Sequence, residues 1–207
     1  MDNMNLEWVK NMDNFFEFST WLVEFDWSWF NIDNVESMDY FFRWATSLRT
    51  INLSGAKFPQ LKSMNYFFFG CSGLQELNMS NMNLMRLTNI NAIFNGVSNI
   101  KKVNFSNTNM ASIVWLWSLF LNNKSIEEVD MSYMNLSSTT DMANMFYWCS
   151  NLNKLNMTNM NLHNLTNMWG IFAWCDNLKI LNFDNTNMWS LLGFWWNLKW
   201  ATNLEEV

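Results

Sequence analysis

The 207 residues carry a net charge of -6, half of them are hydrophobic, and Asn makes up roughly a sixth of the chain. This charge, without a repeating Lys/Arg stripe, argues against nucleic acid as a partner. No apolar run approaches the ~18 residues of a membrane span, and the first residues lack the pattern of a secretion signal.

A period of 26 residues runs through the chain without an insertion or deletion, which predicts a solenoid of stacked units. Each unit is numbered here from its first Leu or Ile, and equivalent positions are called columns. We expect one continuous repeat domain over 1–207 with about eight turns. Its parts are a partial first unit 1–21, the units 22–47, 48–73, 74–99, 100–125, 126–151, 152–177 and 178–203, and a partial last unit 204–207.

The first part of each unit reads as a strand. Apolar residues occupy positions 4 and 6, as in Leu155 and Met157, while Asn or Asp stands at position 5 and mostly Ser or Thr at position 7. This alternation is typical of a half-buried strand. We therefore expect a parallel sheet with positions 2, 3, 5 and 7 facing outward.

Position 10 is a column of asparagines where the chain turns away from the strand. Asn side chains satisfy backbone groups at such corners, so the column predicts a stacked ladder, although a ligand-binding row is an alternative. Its members include Asn83, Asn109, Asn135, Asn161 and Asn187.

The second half of each unit changes period. Leu165, Met168, Ile171, Phe172 and Cys175 are spaced as one apolar face of a short helix. Together with the strand, this predicts an α/β solenoid of leucine-rich-repeat type, with a parallel β-sheet on one face and short helices or 3-10 turns on the other. Position 21 predicts a buried aromatic spine, with Phe42, Phe68, Phe94, Phe120, Phe146 and Phe172 among its members.

The order of residues within the unit resembles a known family. The segments MFYWCSNL (145–152) and LNKLNMT (152–158) are similar to the leucine-rich repeats of BspA-like bacterial surface proteins. The resemblance spans the chain and is strongest over 126–192. It implies an extracellular array that adheres to host or matrix proteins.

The three cysteines share position 24 with Ala45, Val97 and Ala201. A column that accepts Ala and Val is a small buried slot, so we expect Cys71, Cys149 and Cys175 to be structural. Cys149 and Cys175 lie in neighbouring units, and whether they pair stays open.

The sequence offers no catalytic or metal-binding pattern. It contains one histidine, His163, and has no CxxC, HExxH, GxSxG or glycine-rich phosphate loop. We therefore expect a non-enzymatic protein without cofactors.

The chain contains 14 tryptophans, more than the core of a solenoid needs. Packing between units is one interpretation, and the sharper one is an exposed aromatic surface that binds a partner. The candidate binding residues are Trp148, Trp174 and Trp200 at position 23, Trp169 and Trp195 at position 18, and Trp29 and Tyr133 at position 8.

Three functional hypotheses remain at this point. The leading one is a scaffold for protein–protein interaction or adhesion, with a protein or a second copy as its partner. The second is a designed or generated solenoid without an evolved function, favoured by the regular period and the absence of capping repeats. The third is a structural protein that self-assembles end to end through unpaired strand edges. The expected localisation depends on the origin of the chain. A trimmed natural chain would belong to the cell surface, and an artificial one would be expressed in the cytoplasm.

Overall fold

The computed structural model describes residues 6–27, 32–188, 198 and 201–206. Its strands form one parallel sheet in chain order, each paired with its successor at a shift of 26 residues, as in Val129 opposite Leu155. The strands are β1 Thr50–Asn52, β2 Glu76–Asn78, β3 Lys102–Asn104, β4 Glu128–Asp130, β5 Lys154–Asn156 and β6 Ile180–Asn182.

Each strand is short because the residue that ends it also caps the following turn. In β3 the Oδ1 of Asn104 accepts a 2.8 Å hydrogen bond from the main-chain N–H of Ser106. The chain then turns at Asn107, whose φ is 56°, a left-handed conformation that Asn tolerates. The Asn and Asp residues of position 5 therefore stabilise the turn after the strand, in addition to facing outward from the sheet.

Two further ladders of single parallel bridges connect the units. One runs along position 10 from Lys57 to Asn187, and the other along position 16, from Asn11 to Asn89 and again from Trp115 to Asn167. From β1 to β6, adjacent units thus meet along two or three lines, and the chain folds as a β-solenoid.

The helix expected in the second half of the unit is wrong. Apart from Leu198, no described residue is in an α-helix. The N–H groups donate to the next unit instead: Phe146 N binds Ile171 O at 3.0 Å, and Trp148 N binds Ala173 O at 2.9 Å. Left-handed residues at positions 19 and 23, such as Asn144 (φ 53°) and Trp148 (φ 61°), break any helical run.

The expectation of about eight turns is also wrong, because the sheet encloses about five, from β1 to β6. The segment equivalent to a strand in the unit 22–47, residues 24–26, does not join the sheet. There Phe25 packs edge-on against Phe16 and Trp27, with ring centroids 4.9 Å apart in both pairs.

The core lies between the sheet and the turns. The phenylalanines of position 21 stack along the solenoid axis, with Phe120 and Phe146 5.2 Å apart and 8° from parallel. Position 20 is buried beside them, as at Phe67 and Met145. This continuous core holds the sheet and the turn side (positions 16–24) at fixed distance from each other.

Candidate functional site: the turn side of the solenoid

The sheet face, formed by the outward side chains of positions 2, 3 and 5, is charge-balanced. Lys101 Nζ lies 2.9 Å from Glu127 Oε1, and Lys102 Nζ lies 3.8 Å from Glu128 Oε2 in the same two units. These charges pair from one unit to the next, so the shallow depression of about 540 Å³ over the strands has no concentration of one sign.

A second charged ladder runs along position 15. Glu36 accepts a hydrogen bond from Lys62, and Lys10 lies on its other side at 3.3 Å. The hydrogen bond from Lys62 and then that from Lys10 lower the pKa of the Glu36 carboxyl. Both partners come from adjacent units, so the pair links units and leaves no unpaired acid.

A polar ladder occupies position 18 in the N-terminal half of the turn side. The Oδ1 of Asp13 accepts a hydrogen bond from the N–H of Asp39, Asp39 accepts from Asn65, and Asn65 accepts from Asn91, at 2.7–2.8 Å. At the next unit the column changes to Trp117, and the ladder stops. Column 18 therefore switches from polar to largely aromatic side chains in mid-chain, with Trp117 and Trp169 on either side of Ala143.

Three candidate tryptophans lie exposed beyond this switch. Trp169 is 69% exposed, Trp174 44% and Trp148 43%. They are called the tryptophan surface below. Tyr133 is also exposed, at the turn after β4, whereas Trp29, Trp195 and Trp200 lie outside the described residues.

The backbone beneath two of these rings is unfavourable for a bulky side chain. Trp148 and Trp174 have φ values of 61° and 63°, a region that costs roughly 1–2 kcal/mol for most L-residues. The same column holds Gly70, Gly96 and Asn122 in other units, which suit that conformation better. The fold does not need tryptophan at this position.

Sequence reasoning missed a groove of about 800 Å³ between the two halves of the turn side. Tyr66 and Trp117 line it, and Ala92 and Gly96 lie between them along the chain. At position 19 the groove opens because Tyr66 is followed by Ala92 and Ser118 in the next two units. At position 23 three successive units carry Gly70, Gly96 and Asn122, between the tryptophans of earlier and later units. That change within the columns was visible in the sequence.

The cysteine column lies in the core with all three thiols free and buried. Each Sγ donates to the carbonyl of the phenylalanine one unit earlier, as from Cys149 to Phe120 at 3.1 Å. Burial raises the pKa of Cys71 and Cys175 to about 12 and that of Cys149 well above its ordinary value. These thiols are unsuited to nucleophilic chemistry at neutral pH.

The asparagines of position 10 stack through side chains as well as backbone. Asn109 Nδ2 donates to Asn83 Oδ1 at 3.4 Å, and Asn161 Nδ2 donates to Asn135 Oδ1 at the same distance. Asn187 ends the described backbone ladder. The asparagines of this column thus bind one another from unit to unit. Asn161 Oδ1 also lies 2.9 Å from Nδ1 of His163, two residues later in the chain.

Over the described ranges, no group of three or more His, Cys, Asp or Glu side chains is placed to hold a metal ion. In the same part of the chain no helix has the length and apolarity to cross a membrane.

Comparison with known proteins identifies the repeat. A family described as "Mycoplasma protein of unknown function, DUF285" matches residues 1–108 and 62–188. Among solved structures, the leucine-rich repeat protein TpLRR of T. pallidum is 18% identical with a TM-score of 0.55, over 82% of this chain and 72% of that one. A leucine-rich repeat protein of Bacteroides ovatus is 13% identical over 83% and 78%, with a TM-score of 0.18. No curated protein matches.

Proposed function

This chain belongs to the Mycoplasma protein family of unknown function DUF285, and we propose that it is a non-enzymatic scaffold that binds a protein through its tryptophan surface. The fold shared with leucine-rich repeat proteins supports a binding role. Adhesion to a matrix protein is the form of that role that the resemblance to BspA-like repeats implies.

The observation that carries the proposal is the exposure of Trp148, Trp169 and Trp174 on the turn side. Large aromatic side chains are enriched in protein interfaces because each buries a large area at small entropic cost. Two of the three occupy left-handed positions where Gly or Asn would cost the fold less. Trp148 also contacts Tyr147 and Lys124, yet more than two fifths of Trp148 and of Trp174 stays exposed and open to a partner.

The sheet face supports the assignment by contrast. Three ion pairs lie along it, Lys101 with Glu127, Lys102 with Glu128 and Lys179 with Glu205. A partner that docked there would have to displace these pairs, whereas the indole rings are already open to solvent. We therefore place the interface on the turn side.

The test compares three forms of the chain against immobilised fibronectin, laminin and collagen by biolayer interferometry. The first form is the parent, and the second carries Trp148→Asn, Trp174→Asn and Trp169→Ala. Each of these replacements occurs naturally in the same column, at Asn122 and Ala143. The third form is a sheet-face control, Glu76→Thr with Lys154→Thr, which introduces the residue that this column carries at Thr50.

The proposal predicts that the parent and the sheet-face control bind one of these proteins and that the tryptophan variant loses at least about tenfold in affinity. If the sheet-face control loses binding and the tryptophan variant keeps it, the interface lies on the sheet face and the proposal is wrong. Absence of binding to all three proteins would contradict adhesion to matrix.

A further inference from the structure

We propose that the groove between Tyr66 and Trp117 is a second binding site, for an uncharged oligosaccharide. This site goes beyond the proposed function, because it involves other residues and another class of ligand. Its volume of about 800 Å³ lies within the range typical of ligand sites.

The two walls of the groove present aromatic rings. Tyr66 stacks on Tyr40 through one face, with centroids 4.9 Å apart and rings 4° from parallel. Its other face is toward the next unit, where the column continues with Ala92 instead of a third tyrosine. Trp117 is 58% exposed on the opposite wall, two units away from Tyr66, or about 10 Å at the spacing of adjacent strands.

The floor is low because the residues between these walls are small. Ala92 stands where Tyr40 and Tyr66 stand in earlier units, and Gly96 stands where Trp148 and Trp174 stand in later ones. A flat ring can therefore enter between the aromatic walls and reach the backbone of the unit 74–99.

Unpaired amides line the same groove. The side chains of Asn91, Asn95 and Asn122 make no hydrogen bond within the described residues, although all three line the groove and are exposed. Each primary amide offers two donors and one acceptor oxygen. Sugar hydroxyl groups both donate and accept hydrogen bonds, so they can pair with the donors and the acceptor oxygens of these amides.

The lining carries a single side chain that is charged at neutral pH, so its other polar groups are neutral. Its single ionisable cation is Lys124, whose Nζ lies 5.7 Å from the centre of the Trp148 ring, and the lining contains no carboxylate. A sugar ring has an apolar C–H face for the aromatic walls and a rim of hydroxyls for the amides. This combination, neutral and polar at the rim with flat apolar faces, points to an oligosaccharide.

The test measures binding of neutral chitotetraose, maltotetraose, cellotetraose and lacto-N-tetraose by calorimetry and saturation-transfer NMR. Sialyllactose and a blocked neutral peptide of Ser, Asn and Ala are the competing ligand classes. Ala92→Tyr fills the groove with the residue that its own column carries at Tyr40 and Tyr66. Trp117→Ala removes one wall, and Trp21→Ala is the control, because Trp21 is also exposed (68%) but lies outside the groove and outside the tryptophan surface.

The proposal predicts that at least one neutral tetrasaccharide binds with a Kd below about 1 mM. Ala92→Tyr and Trp117→Ala should each weaken it at least about tenfold, while Trp21→Ala leaves it unchanged. Because Trp117 is exposed, its variant keeps the test decisive even where Ala92→Tyr fails to fold.

Three results would overturn the assignment: no neutral sugar bound below about 1 mM, binding that survives both groove variants, or binding of only sialyllactose or the peptide. The matrix-protein test uses none of the groove variants, so either proposal can fail without the other.

Discussion

The indole of Trp44 lies directly over Gly70, the residue that follows it in the same column of the next unit. A Cβ added to Gly70 would stand 2.6 Å from Cε3 of Trp44. Glycine here serves two needs at once, because its φ of 71° is left-handed and its lack of a side chain makes room for the ring. The boundary between aromatic and small residues on the turn side is thus set by packing between units.

Gly70→Ala should therefore be more destabilising than the same change at Gly55. Gly55 has a similar φ of 69° but no neighbour within 4 Å of an added Cβ. We expect a loss of about 1 kcal/mol for Gly55→Ala from the backbone alone. For Gly70→Ala we expect roughly 2–4 kcal/mol, because Trp44 must also move. Urea unfolding midpoints measure both, and equal losses would show that the indole does not rest on Gly70.

The buried thiols should make stability fall in alkaline solution. The unfolded chain releases its thiol protons near the ordinary pKa of 9.0, whereas folded Cys71 and Cys175 hold theirs up to about 12. The folded state binds more protons in this window, so each thiol removes about 1.4 kcal/mol of stability per pH unit as the pH rises from 9 to 12.

The control for this effect is the variant with Cys71, Cys149 and Cys175 all changed to Ala, the residue that this column carries at Ala45. Its unfolding free energy should decline less steeply over the same pH range. In the parent at pH 8, iodoacetamide should modify the thiols only after unfolding. Rapid labelling of the folded chain would contradict the burial of this column.

Glu36 should titrate below its ordinary pKa, chiefly because of Lys62. The hydrogen bond from Lys62 is the first cause of the lowered pKa and that from Lys10 the second. Lys62→Met should therefore raise the pKa of Glu36 more than Lys10→Met does, as followed by carboxyl ¹³C NMR. Since the pKa is lowered in the folded state, the stabilisation is present at neutral pH and is lost as the pH falls through the folded pKa. An unchanged titration in both variants would mean that the two lysines do not act on Glu36.

The phenylalanine spine should carry a large part of the stability. Phe146 is fully buried and stacks on Phe120 and Phe172. Phe146→Ala should cost about 3–5 kcal/mol, because it removes this burial and leaves a cavity. The exposed Trp169→Ala should cost less than about 0.5 kcal/mol. Similar losses for the two variants in urea unfolding would refute the distinction between spine and surface.

The 26-residue period and the apolar columns sufficed to predict the parallel sheet and the solenoid, because stacking repeats each contact at the same interval. The helix was mispredicted because apolar spacings such as Leu165, Met168 and Phe172 also occur in a chain of tight turns. The contrary signal was the presence of Gly or Asn at positions 19 and 23, as at Asn144 and Gly170. These columns adopt left-handed backbone and send their N–H groups to the next unit.

The candidate tryptophans could be named from the sequence, but the groove could not. Exposure of Trp169 follows from its column lying outside the core. The groove instead depends on which residues face one another across three successive units, from Tyr66 past Ala92 to Trp117. The 26-residue register was predictable, but that side chains of positions 18 and 19 from different units line one groove appears only in the structure.

The most direct test of the proposed interface follows the indole N–H signals in NMR spectra of the ¹⁵N-labelled chain. The titrant is the matrix protein that binds in the interferometry experiment. We predict that the signals of Trp148, Trp169 and Trp174 shift or broaden first. Those of Trp8 and Trp21, which are exposed elsewhere at 85% and 68%, should stay in place. Perturbation confined to Trp8 and Trp21, or to amides of the sheet face, would contradict an interface on the tryptophan surface.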